Sequence, residues 1–324
     1  MDIYVKKAII HQFSPADTEL LLADKFLNIT PKIEEYLRKK IERVYSDEAK
    51  TGIFEPDNVF LAQLSDDLLE TSVTVAKLWQ EEFLVSENQK TNDLIFVQFD
   101  KEGVEHFAFL RIALRETLTH LGGEVDNPIK LTQNNLPGFG TGADEALVIN
   151  LQSRKYHLIE KRIKYNGAFL NYFSDNLLQV SPKVSPKKSI KTLEKTAQKI
   201  AESFNTDDFQ FQSKVKSSIF KNLEENEELS PEKLADELFD SNLTARLTFI
   251  DQVKETVPEP IKFDEIDSSR QKKKFENQKL SLSNGIELIV PNNVYQDAES
   301  VEFIQNDNGT YSILIKNIED IQSK

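Results

Sequence analysis

At 324 residues, the chain can form one large domain or two modest ones. A hydrophobic content of 39%, including 21 Phe, predicts a well-filled core. The absence of Cys excludes disulfides, cysteine-ligated zinc, iron–sulfur clusters and thiol catalysis. The N-terminus does not combine a basic segment with an apolar run, and every apolar run is far shorter than the roughly 20 residues of a membrane-spanning helix. We therefore expect a cytoplasmic α+β protein without a signal peptide, with a formal net charge of −14.

The first part of the chain predicts an antiparallel sheet with helices packed on it. Residues 3–13 favour a strand, and Thr30-Pro31 predicts a helix start with Thr30 as the N-cap. Pro56 is interpreted as the start of a second helical stretch, which carries Trp79 on its apolar face. Alternating patterns predict four further strands in two hairpins, at 94–99, 104–115, 145–151 and 155–163.

Two segments of this first part are interpreted differently. Residues 120–144 are predicted to be irregular, and the glycine-rich run 138–142 within them lacks the context and spacing of a phosphate-binding loop, so a mobile surface loop is expected. Asn166 is interpreted as the cap of a helix on which Phe169, Phe173 and Leu177 stack at a spacing of four residues.

The second part of the chain predicts helices followed by hairpins. Two Ser-Pro-Lys units in 181–189 predict a linker. Four helices are then expected, the first capped by Ser189, the others starting near Thr206, Ser230 and Thr244. Asn284-Gly285 and Asn308-Gly309 predict tight turns that join four short strands, at 279–282, 286–290, 301–305 and 311–315.

These patterns give an α+β fold class: an N-terminal antiparallel sheet with packed helices, then a helical region, then a small C-terminal β-subdomain. The predicted boundaries are an α+β domain at 1–180, the linker at 181–189, the helical region at 190–260 and the β-rich subdomain at 261–324.

Charge is distributed unevenly along the chain. Residues 151–200, here called the basic stretch, contain eleven Lys and Arg against three acids, a net charge of +8. This favours a surface for a polyanion, although a solvated lysine face balanced by acidic neighbours explains the charge equally well. Lys191, Lys195 and Lys199 are predicted to form a row on one helix face. The candidate DNA-binding residues are Arg154, Lys155, Lys161, Arg162, Lys164, Lys183, Lys187, Lys188, Lys191, Lys195 and Lys199, with a second cluster at Arg270, Lys272, Lys273 and Lys274.

Residues 222–267, here called the acidic segment, hold fourteen acids and four bases, a net charge of −10. Two interpretations stay open. The segment folds back on the basic stretch, or it repels DNA from another part of the protein.

The sequence lacks patterns that carry catalysis or bind metal. No two of its four His lie within six residues of each other, and no metal-binding or nucleophile-elbow motif occurs. His106 and His157 fall in predicted strands, where packed side chains are expected. We therefore predict no catalytic residues, no metal and no cofactor.

Several stretches, taken in order, resemble a known family. They are Gly52 to Pro56 with Leu61 to Leu64, Phe107 to Leu114, Val148 to Leu151, Phe169 to Phe173, Leu280 to Val290, and Tyr311 to Lys316. Together they resemble the bacterial nucleoid-associated proteins called NdpA or YejK, the 37 kDa nucleoid-associated proteins. The resemblance implies a cytoplasmic, nucleoid-located protein that associates with DNA, with type II topoisomerases as partners and no established catalytic residues.

Three functional hypotheses follow. The first is a non-enzymatic nucleoid-associated protein that contacts DNA phosphates through the basic stretch, with weak sequence selectivity, and modulates type II topoisomerases. The alternative is a protein–protein interaction module whose acidic helices bind a DNA enzyme without touching DNA. The third is an enzyme such as a nuclease. A homodimer is expected to raise avidity for DNA, and no membrane partner is expected.

Overall fold

The computed structural model describes residues 2–16, 18–84, 90–120, 129–165, 167–204, 209–226, 228–262 and 272–322. The chain divides into two units, Met1–Ser185 and Pro186–Lys324, here called unit 1 and unit 2. The strands of unit 1 are β1 (Ile3–Ser14), β2 (Glu19–Leu21), β3 (Lys50–Ile53), β4 (Asn92–Lys101), β5 (Val104–Ala113), β6 (Arg115–His120), β7 (Ile129–Asn135), β8 (Glu145–Asn150), β9 (Lys155–Ile159), β10 (Ile163–Tyr165) and β11 (Ala168–Leu170). Its helical elements are α1 (Pro31–Glu42), α2 (Leu68–Phe83), a 3₁₀ turn at Leu61–Gln63 and a π-helical turn at Phe173–Leu177.

Unit 1 is built around a seven-stranded antiparallel sheet with the order β2-β1-β4-β5-β8-β9-β3. Side chains of a strand alternate between the two faces of a sheet, and here both faces are buried. On β4, Leu94 and Phe96 pack into the core beside α2, whereas Ile95 and Val97 pack into a second core beside α1. The prediction of an antiparallel sheet with packed helices is confirmed, and two short edge strands bring its strands to seven.

The first helix starts where the sequence predicts, and the second does not. At α1, Pro31 is the first helical residue and the Thr30 side chain accepts from the Ile33 N–H at 3.4 Å. The prediction that the next helix starts at Pro56 is wrong, because α2 begins at Leu68 with Asp67 as its N-cap. Asn58 Oδ1 accepts from the N–H of Phe60 at 2.9 Å, which closes a local turn instead of a helix.

Trp79 lies in the core, as predicted, and takes part in a buried polar cluster. Its Nε1 donates to Tyr172 Oη at 2.9 Å, and Tyr172 donates to Glu145 Oε2. The same carboxylate oxygen accepts from Arg111 Nε at 2.6 Å, and Arg111 also donates to Asn92 Oδ1 at 2.8 Å. This cluster joins α2, β4, β5, β8 and the residue before the π-helical turn.

Both predicted hairpins of the sheet are confirmed. Glu102 (φ 55°) and Gly103 (φ 79°) form the two-residue turn between β4 and β5, where positive φ at both positions matches the twist of the strands. Arg154, with φ 59°, ends the turn between β8 and β9.

The glycine-rich run is a surface loop, but it is held to α1. The Lys40 side chain is fully buried, and its Nζ donates to the carbonyl oxygens of Gly138 at 2.9 Å and Thr141 at 2.5 Å. Tyr36 Oη donates to the Pro137 carbonyl at 3.0 Å. These bonds anchor the run, contrary to the expectation of a mobile loop.

Two other expectations for unit 1 are wrong. Part of 120–144 is regular, because β6 and β7 pair as a ribbon in which Leu118 lies opposite Leu131 and Thr119 bonds Thr132 at 3.1 Å. The predicted helix from Asn166 is replaced by the β10–β11 hairpin, and only the π-helical turn follows it. Asn166 itself lies outside the described residues.

Unit 2 starts with helices and ends with hairpins. Its helices are α3 (Pro186–Ser203), α4 (Phe209–Asn226), α5 (Pro231–Leu238) and α6 (Leu243–Lys254), with a single helical turn at Asn292–Tyr295. Its strands are β12 (Glu228–Leu229), β13 (Ile261–Lys262), β14 (Asn277–Ser281), β15 (Glu287–Pro291), β16 (Val301–Gln305) and β17 (Tyr311–Ile315). Residues of all four helices share one apolar core, in which Leu193, Ile219, Leu234 and Phe249 are fully buried.

Most element predictions for unit 2 are confirmed. Ser230 caps α5 by accepting from the Lys233 N–H at 3.3 Å, and Gly285 and Gly309 adopt positive φ in the two hairpin turns. Helix α3 begins at Pro186, three residues before the predicted cap Ser189, because proline is compatible with the first helical position. The predicted start of α4 at Thr206 lies outside the described residues. The α+β fold class is confirmed for the chain.

Candidate nucleic-acid interface

Helix α3 separates its apolar and basic faces. Its inner face is buried in the unit 2 core, whereas Lys191, Lys195 and Lys199 are exposed, as the sequence predicts. Each is four residues from the next, a rise of about 6 Å along the helix axis. Within the described residues, these three lysines and Lys188 form no ion pair, so their charges are available to a ligand. Lys187 is also exposed at the start of the helix.

A half-buried acid, Glu194, links this row to two other elements. Burial raises the pKa of its carboxyl, and Lys274, Lys216 and Lys191 partly offset that rise. The second basic cluster is therefore near α3 through Lys274, although 83 residues separate Lys274 from Lys191 in the sequence. Lys216 on α4 belongs to this group but not to the predicted site. No local pattern in the sequence singles out Lys216, because its proximity to Glu194 depends on how α3 and α4 pack.

The structure describes three of the four residues of the second basic cluster. Lys273 is exposed and Lys272 is half-buried, in a short helical segment at 272–275. Lys274 Nζ lies 4.9 Å from the ring centroid of the buried Phe275. Arg270 lies outside the described residues.

Unit 1 carries the earlier part of the basic stretch. Lys155 is exposed and lies opposite Ile53 on β3, whereas Lys183 forms an isolated bridge with Thr51 on the outer side of the same strand. Because neighbouring strands lie about 5 Å apart and the two partners on β3 are two residues apart, the backbones of Lys155 and Lys183 flank β3 at a separation of roughly 12 Å. Arg154, in the preceding turn, is half-buried.

Three further predicted residues surround the start of the β10–β11 hairpin. Lys161 is exposed and pairs with Asp144 at 2.6 Å. Arg162 is exposed, and Lys164 lies opposite Phe169 across the hairpin. Phe169 is 64% exposed, whereas the helix prediction had placed it on an apolar face.

The basic stretch is thus divided between the two units at the Ser185–Pro186 boundary. Six of its eleven Lys and Arg belong to unit 1 and five to unit 2. Each unit presents its own set of basic side chains.

Acids of α5 and its C-terminal end form ion pairs with α4 and α6. Asp236 bonds Arg246 at 3.0 Å, and Glu237 and Asp240 each lie 3.6 Å from Lys221 and Lys214, respectively. In the described part of the chain, no ion pair joins the acidic segment to Lys188 or to the three-lysine row. The acidic segment therefore neutralises α4 lysines and forms no ion pair with the α3 row in the described residues.

The histidines pack as predicted. His106 is buried and stacks on Phe99, and the His157 ring lies 4.6 Å from that of Tyr45. Over the described ranges, no group of three or more His, Asp or Glu could hold a metal ion. The described helices include none that is both long and apolar enough to cross a bilayer.

Comparison with known proteins identifies the family of the chain. A search of curated proteins gave no match. The sequence model of the family described as nucleoid-associated protein YejK matches residues 9–321, almost the whole chain. The match covers both units and confirms the resemblance carried by the sequence motifs. The chain therefore belongs to the family of nucleoid-associated proteins described as YejK.

Proposed function

We propose that the chain is a non-enzymatic nucleoid-associated protein that contacts DNA phosphates through the lysine row of α3. The observation that carries the proposal is the state of Lys191, Lys195 and Lys199: exposed, regularly spaced and without an ion pair in the described residues. Lysines that lack internal partners can exchange condensed counterions for phosphates, which is the main source of backbone-directed affinity. The family supports a nucleoid location and a non-enzymatic role.

The acidic remainder of the chain fits this role. A chain with a net charge of −14 is repelled by DNA except where positive charge is concentrated. The paired acids of α5 reduce the charge of α4 and leave α3 as the basic face of the helical region. The protein would thus bind in one orientation, with weak sequence selectivity.

The test is the salt dependence of binding to a fluorescent DNA duplex, measured by anisotropy. Log affinity should fall linearly with log salt, by about 0.9 per phosphate contacted. Changing Lys191→Gln, Lys195→Gln and Lys199→Gln together should weaken binding and reduce this slope by roughly 2.7. The matched control, Lys214→Gln, Lys221→Gln and Lys254→Gln, changes the net charge equally and should change the slope much less. Equal slopes for the two triple variants would refute the assignment to α3.

A second candidate function rests on the exposed surface of α6. Leu243 and Leu247 lie one turn apart and are 59% and 56% exposed, within the acidic segment. An exposed apolar pair in a segment of net negative charge suits an apolar and basic surface on a partner protein. We propose this face as the contact for a DNA enzyme, with type II topoisomerase as the first partner to examine.

That contact can be separated from DNA binding. Capture of purified type II topoisomerase should survive nuclease treatment and should be lost on Leu243→Ser with Leu247→Ser, while the lysine variants retain it. Association that disappears with nuclease would instead be mediated by DNA. A homodimer, proposed for its avidity, should be seen by light scattering at the concentrations used for binding.

A further inference from the structure

The alternation of side chains in the β10–β11 hairpin places the ring of Phe169 in solvent. Ile163 and Leu170 are directly opposite each other, and Ile163 is buried in the core beside α2, with Leu170 packed against that core. Because alternate residues of a strand point to opposite faces, the next pair, Lys164 and Phe169, must face outward. The exposure of Phe169 therefore follows from the anchoring of its neighbour, and the ring is presented on a fixed support.

The surroundings of this ring are basic. Residues 161–170 contain three bases and no acid. Lys164 lies directly across the hairpin from Phe169, at a Cβ separation of about 5 Å. Arg162 is exposed and forms no ion pair within the described residues.

The nearest acids are already engaged. The Glu160 side chain is 1% exposed, pairs with Lys50, and accepts from the Ser174 N–H at 2.9 Å. Asp144 pairs with Lys161 and accepts from the Ala113 N–H at 2.9 Å. The positive charge of Arg162 is therefore not cancelled at the ring by these carboxylates.

The basic surroundings of the ring favour a nucleic acid as its ligand, and the ring itself favours one with unstacked bases. The two residues before it in the hairpin, Gly167 and Ala168, are small and add no bulky side chain beside the ring. In an intact duplex, the faces of the bases are covered by stacking. An unpaired base presents a free π-face, and aromatic rings beside cations bind such bases with little sequence preference.

We propose that the β10–β11 hairpin binds single-stranded nucleic acid, with Phe169 stacked on an unpaired base and Arg162 and Lys164 contacting the flanking phosphates. This site lies in unit 1 and extends the proposed function, which concerns duplex phosphates at α3 in unit 2. It would let the protein hold DNA where the strands are separated.

The experiment measures anisotropy of a fluorescent twelve-nucleotide oligo(dT) and of a duplex of equal length, using the full chain. Phe169→Leu keeps an apolar side chain but removes the π-face, and should weaken oligo(dT) binding about tenfold without changing its salt slope. Duplex affinity should change less than twofold. Phe169→Trp should retain oligo(dT) binding, and Arg162→Gln should reduce the oligo(dT) salt slope by about 0.7.

The matched control is Phe26→Leu. Phe26 is 42% exposed and lies near a lysine, with Lys7 Nζ at 5.5 Å from its ring centroid, but it is outside the basic stretch. The same substitution there should leave both affinities unchanged. Far-ultraviolet circular dichroism of each variant shows whether the fold is retained.

Three results would overturn the site. Phe169→Leu could leave oligo(dT) affinity unchanged, weaken oligo(dT) and duplex equally, or change the oligomeric state in light scattering, which would make the ring a contact between copies. Failure of the α3 proposal would give a different result: the salt slope of duplex binding would not change when the α3 lysines are substituted. Even then, Phe169→Leu would still weaken oligo(dT) binding if the hairpin site is correct.

Discussion

The buried pair of Arg111 and Glu145 gives a quantitative test of how unit 1 is stabilised. Arg111 is 3% exposed and Glu145 is fully buried, so each charge depends on the other. In Glu145→Gln, Arg111 would keep its bond to Asn92 and its position 5.2 Å from the Phe83 ring but would lose its counter-charge. Removing one partner of a buried pair typically costs about 3–5 kcal/mol.

The hydrogen bonds at Glu145 support the upper part of that range. Its Oε2 accepts from both Arg111 and Tyr172, whereas Oε1 has no partner among the described residues. An amide NH₂ placed at the Oε1 position would therefore find no acceptor, which adds to the cost. For a unit of about 185 residues, a loss of about 4 kcal/mol lowers the melting temperature by roughly 10 °C.

Tryptophan fluorescence is the assay, because the chain has one Trp and it hydrogen-bonds Tyr172 within this cluster. Urea unfolding followed by Trp79 thus reports on unit 1. The double variant Arg111→Met with Glu145→Gln removes both charges and should be no less stable than either single variant, a coupling of about 3 kcal/mol. Additive losses in this cycle would show that the two charges are stabilised separately, and the reasoning would fail.

Three other measurements test local features of unit 1. His11 is buried, with its Nδ1 accepting from the Ala23 N–H, and burial lowers its pKa to about 4. Since an unfolded imidazole titrates near 6.5, the stability that neutral His11 contributes, up to roughly 3 kcal/mol, is complete above pH 6.5 and is lost as pH falls towards 4. The NMR resonances of His11 should therefore not titrate above about pH 5. Gly52→Ala would place a Cβ 2.3 Å from Tyr156 Oη in the core, so urea unfolding should show a loss of about 1–3 kcal/mol, whereas Gly140→Ala, which meets nothing within 4 Å, should not. Lys40→Met removes the donor held by the carbonyls of Gly138 and Thr141, and should speed proteolysis at 137–142 relative to Lys39→Met on the exposed side of α1.

Local patterns predicted elements well where one short-range interaction decides the structure. Asn308-Gly309 joins β16 and β17, whose bounds agree with those predicted, because glycine readily adopts the positive φ that the turn requires. Thr30 and Ser230 marked helix starts through side-chain bonds to the first turn. The apolar face of α3 followed from its spacing alone.

The errors arose where two local signals competed or where contacts are distant. Asn166-Gly167 is the same kind of turn signal as the two C-terminal ones, but the spacing of Phe169, Phe173 and Leu177 also predicts a helix. The anchoring of the glycine-rich run depends on Lys40, about 100 residues earlier, which no local pattern contains. The grouping of Lys191, Lys216 and Lys274 around Glu194 likewise requires the tertiary packing of unit 2.

The lengths of the edge strands affect how the protein behaves when crowded. The two strands that border the seven-stranded sheet, β2 and β3, have three and four residues, whereas the inner strands β1, β4 and β5 have ten to twelve. A neighbouring chain can add to a sheet only along the free hydrogen-bonding groups of its border, and the border at β3 is short, whereas β2 covers only Gln12 to Ser14 of β1. Lys183 also occupies part of the outer side of β3. At the β3 border, a second copy of the chain would therefore find few hydrogen-bonding groups with which to extend the sheet.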